Sequence, residues 1–543
     1  MKKNIRFSII AIAAAGLFLA FTSRDGKYFE ISKNIEIFTN VYKELNTWYV
    51  DDLDPATVMR EGIDAMVKNM DPYTNYFSES QIEGYRYESE GKYEGIGAGV
   101  KLIDGYPTIT EPYENSPATK AGLKAGDQII EINGESAAGR TKGEVNSVVR
   151  GVPGTTVQFK MRRPGESTDR DVTLTRGNVS LPNVPYSGIV ADGIGYITLT
   201  TFTPDAGRNV AKALRDLKTE NPDLQGVIFD LRGNGGGLLR EAVNVSNVFI
   251  PKGEEVVSTR GKVPERDMSY GTKMAPVDQN IPLVVLINKN SASASEIVSG
   301  VIQDLDRGVM VGQRSYGKGL VQNTRDVGYN AKLKMTTAKY YIPSGRCIQS
   351  IEYENGEPKH IPDSDRAQFQ TRNGRVVLDG GGVKPDVVVE VTPPSELLKA
   401  LRKQDIIFKY VTEYCSQFDS IESIEEFSFD AYDDFRQFVA KSNFEYSTNA
   451  ETALNELTGM VFDRELEKEL QKELSAISKT LEEDKTDHLQ RYRDEIVNEI
   501  EMDIVGRYLF ENGKTRQKLK NDPELKLAIA ILNDSDRYAE LLK

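Results

Sequence analysis

Histidine is almost missing from this chain: among 543 residues only His360 and His488 occur. A Ser-His-Asp arrangement would have to use His360, which follows a Gly/Pro/Lys-containing loop and has no evident orienting neighbour. His488 lies in a highly charged helical stretch. Cysteine is equally scarce, and Cys347 and Cys415 are too far apart to form a metal-spaced cluster. There is no HExxH and no dinucleotide fingerprint, and the Gly-x4-Gly-Lys-Ser/Thr spacing of a phosphate loop is absent. No metal and no organic cofactor is therefore expected. Basic residues are in deficit, 68 against 82 acidic, for a formal charge of -14. That argues against a nucleic-acid partner, which wants a basic stripe.

Long apolar runs are also absent after the first residues. Residues 1–23 carry Lys2, Lys3 and Arg6, then an apolar run from Phe7 to Phe21, the pattern of a secretory signal. The run is slightly short of the roughly 20 residues that span a bilayer, and Ala20-Phe21-Thr22 is a loose cleavage match. Both a cleaved signal and a retained inner-membrane anchor fit. Either implies export to a bacterial envelope or periplasm, which the low thiol content suits. The length suggests roughly three or four domains.

The most informative stretch runs from Asn288 to Gln322. Pro282 to Ile287 (PLVVLI) reads as a fully buried strand of a parallel sheet. It runs into Ser291-Ala-Ser293-Ala-Ser295-Glu296 and an apolar helical pattern ending near Asp306-Arg307-Gly308. A serine at such a strand-to-helix turn is exposed at the sheet edge, beside the amides of a helix N-terminus. With histidine so scarce, a lysine is the alternative base, because desolvation penalises its ammonium form. Lys318 lies between Gly317 and Gly319, which let its backbone approach other elements closely. A surface lysine in a glycine turn is the plain alternative.

SASASE followed after a helix by VGQRSYGKGLVQ resembles the signature of the carboxy-terminal processing proteases, serine peptidases with a Ser/Lys dyad. The resemblance implies Ser293 as nucleophile, Lys318 as general base, Gln322 as its support and Asp304 as a further activity-linked residue. It also implies an oxyanion hole made by the Ala294 amide with that of Gly236 or Gly237, in the run Gly233-Asn-Gly-Gly-Gly237 after the strand Gly226–Arg232. Glu296 and Ser315 are expected to support these groups rather than touch the reacting atoms.

The resulting expectation is an α/β multidomain protein with a ClpP/crotonase-like protease core. Residues 27–92 read as helical, with Asp54 capping a helix from Pro55 to Asn69. Asp71-Pro-Tyr-Thr-Asn-Tyr-Phe77 reads as architecture. Residues 93–176 form a β module that looks like a PDZ domain, from the Gly95–Gly99 loop, the Asn115–Gly134 block and the Val149–Val157 block. Such a module would hold a substrate's terminal carboxylate through Gly95, Ile96, Gly97 and Ala98 while the tail pairs with a strand edge. Residues 177–391 form the core, with a strand Gly195–Thr200, a helix from Pro204 to Thr219 capped by Thr203, and a turn at Gly380–Gly382.

Residues 392–543 form a helical extension in which Leu466, Leu470, Leu474, Ile477 and Leu481 make an apolar stripe. Whether the extension regulates access, supports homo-oligomerisation or docks an adaptor or regulatory protein is open. The expected function is an exported serine endopeptidase acting on polypeptides with free C-termini, for processing or degradation of envelope proteins. Latency until peptide binds, and a PDZ-based adaptor with an idle core, stay open beside it.

Overall fold

The computed structural model describes residues 27–82, 85, 92–354, 357–421, 423–460 and 464–543. The expected signal or anchor, residues 1–23, lies outside them. The described residues fall into two compact units, one drawn from residues 1–78, 322–336 and 353–358, the other from 79–321, 337–352 and 359–543.

In the smaller unit, residues 27–48 are helical and Pro55–Lys68 forms a second helix. Asp54 caps the second by accepting from the Ala56 and Thr57 amides, with proline in the first turn. Asp71 then accepts from the amides of Tyr73 and Thr74, both at 2.9 Å, which turns the chain into the strand Asn75–Phe77. That strand pairs antiparallel with residues 332–334.

The larger unit begins with a β module. Its strands are β1 (Ala98–Ile103), β2 (Tyr106–Pro112), β3 (Gln128–Ile132), β4 (Thr156–Arg162) and β5 (Arg170–Thr175), in that spatial order, with helix α1 (Lys142–Val149) over the core. Ile96, Ile109, Ile129, Val145, Val157 and Phe159 fill that core. Strand β1 lies at the sheet edge.

A six-stranded sheet follows: β6 (Tyr186–Ala191), β7 (Ile194–Thr198), β8 (Gly226–Asp230), β9 (Leu283–Ile287), β10 (Val309–Gly312) and β11 (Val387–Val388), hydrogen-bonded in that order. All pairs are parallel except β6 with β7. Helices α2 (Ala206–Glu220), α3 (Leu239–Phe249) and α4 (Ala294–Asp304) cover one face. The expected start of α2 at Pro204 moves inward, because Asp205 takes a left-handed conformation (φ 69°) and Thr203 instead accepts from Asn183.

The other face of the sheet is closed by the end of the chain. Strand residues alternate between faces: Val227, Phe229, Val285 and Ile287 meet α2–α4, whereas Ile228, Val284, Leu286 and Val311 meet Leu519, Leu525, Ala528 and Ile531. The helical extension expected over residues 392–543 thus packs its end on the sheet. Its first helices, α5 (Glu396–Lys403), α6 (Ile406–Cys415) and α7 (Tyr432–Lys441), do build their own core, where Tyr410 meets Phe429 and Phe435 edge-on. Helix α8 (Arg464–Lys485) buries Leu474 but leaves Ile477 exposed, and the side chain of Leu466 is outside the described residues. The helical stretch α9 (Arg493–Leu519) breaks at Phe510 (φ 54°). It doubles back there, so that Gln517 donates to Glu501, and α10 (Pro523–Asn533) then lies on the sheet. The two arms of α9 also reach the β module through Arg507 to Ala125 O and Lys514 to Glu111, beside the ion pairs Lys101–Asp405 and Lys409–Asp104.

The fold makes α10 part of the sheet's core, although it is remote from the strands in sequence. Ile531→Ala should cost about 3 kcal/mol, the usual range for deleting a buried aliphatic side chain. The loss should appear as reduced hydrogen-exchange protection of β8 and β9; unchanged protection there would mean the sheet does not need this layer.

Candidate active site

Three neighbouring parallel strands, β8, β9 and β10, end on the same edge of the sheet, and each is followed by a loop carrying candidate residues. The carboxyl edge of a parallel sheet is where such folds bind ligands. After β9 the chain turns sharply at Ser293, whose φ of 56° and ψ of -112° are rarely taken by a non-glycine residue. Helix α4 starts at the next residue, so Ser293 stands at the positive end of a three-turn helix.

The loop after β8 packs directly under this turn. Asn234 O accepts the Ala292 amide (3.0 Å) and the Ser295 hydroxyl (2.8 Å), and Leu231 O accepts the Ser291 hydroxyl (2.8 Å). The outer two serines of the run are thus buried fasteners. At Gly236 (φ 100°) a methyl group would lie 2.8 Å from Ser293 Cβ and 2.9 Å from Ala294 N, so only glycine fits. The structure separates the two oxyanion candidates. The Gly236 amide donates to Asn234 Oδ1 (2.8 Å), whereas among the described residues no protein acceptor meets the Gly237 or the Ala294 amide.

The loop after β10 brings Lys318. Its flanking glycines are required by close approach: a Cβ on Gly317 would meet Ser350 Cβ at 2.1 Å, and one on Gly319 would meet Gln349 N at 2.6 Å. Two groups fasten this loop to the serine turn. Glu296, fully buried, accepts from the amides of Ser293 (2.8 Å), Lys318 (2.8 Å) and Gly317 (2.6 Å) and from the Ser315 hydroxyl (2.5 Å). The hydroxyl of Tyr340 lies 2.6 Å from Lys318 O and 3.1 Å from Ser293 O. One side chain therefore gathers both amides and another both carbonyls. Burial pushes the Glu296 carboxyl up to about 7, against the pull of its four donors.

The remaining candidates have other partners. Asp304 is the last residue of α4, about 16 Å along the helix axis from Ser293 at the usual rise. Its carboxylate pairs with buried Arg346 (2.8 Å) and accepts the Ser344 amide (3.0 Å). Burial raises its pKa, with Arg346 opposing. Asp304 thus anchors the Pro343–Arg346 turn. Gln322 belongs to the smaller unit, where its amide donates to Thr336 Oγ1 (3.1 Å). In the β module the Ile96 amide donates to Val149 O (3.0 Å) and its side chain is in the core, so Ile96 fixes the loop. Gly97 (φ 79°) packs against Ser116, where a Cβ would lie 2.3 Å from that residue's Cβ. Gly380 and Gly382 donate their amides to Cys347 O and Ile348 O, which pins this run to a distant segment of the chain. Among the described residues no His/Cys/Asp/Glu group has metal-site geometry.

Tyr340 and Asn234 escaped the sequence reading. Tyr340 is one aromatic residue of the strand Ala331–Tyr341 and Asn234 sits within a glycine run, so neither carries a local signal. Glu296 carried a local signal: Ser-x-x-Glu at a helix start is the capping-box pattern, in which the glutamate reaches back to the first amide.

Comparison with known proteins matches residues 193–355 to peptidase family S41, residues 108–163 to the PDZ domain, and residues 397–532 to the C-terminal helical domain of probable PDZ-proteases. A carboxy-terminal-processing protease of Bartonella bacilliformis is 35% identical over 321 residues, covering 59% of this chain and 73% of that protein. The carboxy-terminal processing protease CtpA of Bacillus subtilis is 29% identical over 380 residues, covering 67% and 79%. Among solved structures, the photosystem II D1 C-terminal processing protease aligns at 25% identity over 65% of this chain and 86% of that one, with a TM-score of 0.36.

The native state raises the Glu296 carboxyl from 4.5 to about 7, so folding favours its protonated form. This group's contribution to stability is present below pH 4.5 and lost as pH rises to about 7. Glu296→Gln should flatten the stability profile across that window relative to the parent, as read by urea unfolding. Parallel profiles would show that the carboxyl does not titrate there.

Proposed function

The chain belongs to the carboxy-terminal processing proteases of peptidase family S41, and from that premise we propose that it is a serine endopeptidase whose dyad is Ser293 and Lys318. The observation that carries the assignment is the single buried carboxylate, Glu296, that accepts the backbone amides of both residues. Ser293 Oγ attacks the scissile carbonyl while neutral Lys318 takes its proton. The oxyanion forms against the Ala294 and Gly237 amides at the start of α4, and losing one such donor typically costs about 3 kcal/mol. Lys318 then delivers the proton to the leaving amine, and water attacking the acyl-enzyme restores Ser293. Gln322 is assigned support of Lys318 on family resemblance.

The PDZ domain is the reader of the substrate. Edge strand β1 accepts an extended tail as an added strand, and the amides of Gly97 and Ala98 meet its terminal carboxylate. Export to the bacterial envelope follows from Lys2, Lys3, Arg6 and the apolar run to Phe21.

The test uses protein without residues 1–23, its Ser293→Ala and Lys318→Ala variants, and an unfolded substrate with either a free or an amidated apolar C-terminus. The parent should cut the free-tailed substrate faster than the amidated one, and each variant should lose on the order of 10³-fold or more in kcat. The parent's rate should also rise with pH through about 7, where Glu296 ionises and gathers its four donors. Cleavage surviving in both variants would remove the dyad, and equal cutting of the two substrates would remove carboxylate reading. Binding without cutting would favour an adaptor.

A further inference from the structure

Behind the loop that carries Gly236 and Gly237 lies a buried charge cluster assembled from two distant parts of the chain. Arg232, with its side chain 5% exposed, meets Asp230 (Nη2 to Oδ2, 2.6 Å), Asp522 (Nη2 to Oδ2, 2.6 Å) and Glu524 (Nη1 to Oε2, 2.5 Å). Asp230 ends β8 and also accepts from the Tyr196 hydroxyl (2.6 Å). Asp522 and Glu524 begin α10, where Asp522 Oδ1 accepts the Glu524 and Leu525 amides.

One guanidinium here faces three carboxylates, all nearly withdrawn from water. Glu524 Oε1 is buried with no hydrogen-bond partner, and Asp522 Oδ2 meets the guanidinium without hydrogen-bond alignment. Surplus buried carboxylate is costly, and well-packed apolar side chains would hold a helix as well or better. Leu525, Ala528 and Ile531 already supply that grip on the sheet. The cluster therefore calls for a role other than anchoring.

Its position supplies one. Arg232 opens the loop whose backbone registers the serine turn: Leu231 O holds Ser291, Gly233 N donates to Asn288 Oδ1 (3.0 Å), Asn234 O holds Ala292 and Ser295, and Gly236 lies flush against Ser293. Glu524 Oε1 is also 3.0 Å from where a Cβ on Gly312 would lie, at the end of the strand leading to Lys318. We propose that Asp522 and Glu524 are positioning residues of the protease site, acting through Arg232 to hold the 231–237 loop, and with it the Gly237 amide, in register with Ser293. The C-terminal helical domain thereby supplies part of the catalytic apparatus. This rests on the oxyanion assignment made above.

The experiment compares full-length parent, Glu524→Gln, Asp522→Asn/Glu524→Gln and Ser293→Ala on a quenched fluorescent peptide, reading kcat and KM separately, with circular dichroism giving the folded fraction. Neutralising the carboxylates without changing their shape should lower kcat about tenfold or more, the scale of a small misplacement of reacting groups, with KM within about twofold. Glu524→Gln alone should move kcat in the same direction, and it carries the test if the double variant does not fold. A kcat per folded molecule that matches the parent overturns the proposal while leaving the dyad standing, provided Ser293→Ala is inactive. If Ser293→Ala cuts like the parent, the underlying assignment falls and the proposal with it.

Discussion

A serine turn after one strand and a lysine loop after the next have no covalent reason to keep a fixed relation. Here that relation is held by the Glu296 carboxylate, which takes four donors: the amides of Ser293, Gly317 and Lys318 and the Ser315 hydroxyl. Burying an ionised carboxylate without partners would be prohibitive, and charge-assisted hydrogen bonds offset part of that cost only while the donors converge, burial still holding the group up at about 7. The group is therefore an all-or-none fastener, and both loops must arrive for it to be stable. Tyr340 closes the same junction from the carbonyl side.

The loops meet at the edge of a sheet both of whose faces are covered. One cover is made by helices between the strands, as parallel connections require. The other comes from the end of the chain, with Leu525, Ala528 and Ile531 against Ile228 and Val284. The α9 arm that leads into this cover also contacts the PDZ domain at Glu111, opposite Gly99 of the strand that would receive a peptide. This helical arm thus contacts the PDZ domain and leads into the layer that closes the core.

Local features were legible in the sequence and non-local ones were not. The buried run Leu283–Ile287, the turn into α4 and the glycines around Lys318 follow from period, branching and backbone freedom within a few residues. Glu296 was visible as a neighbour of the serine, but its grip on Lys318 depends on β9 and β10 lying side by side. Choosing between Gly236 and Gly237 needed the side chain of Asn234, whose carbonyl takes one amide. The pairing of Asp304 with Arg346 joins residues 42 apart, which no local pattern reveals. The reversal at Phe510 has neither glycine nor proline at its centre; Gly506 and Gly513 instead let the two arms come close.

The direct measurement is the rate at which a fluorophosphonate labels Ser293 in the parent, in Lys318→Ala and in Glu296→Gln, each shown to be folded. If Glu296 sets the relation between nucleophile and base, Glu296→Gln should label at least about tenfold more slowly, approaching Lys318→Ala, since both lose the activated serine. Labelling of Glu296→Gln at the parent rate, beside a slow Lys318→Ala, would contradict the account, because the dyad would then be aligned without the carboxylate.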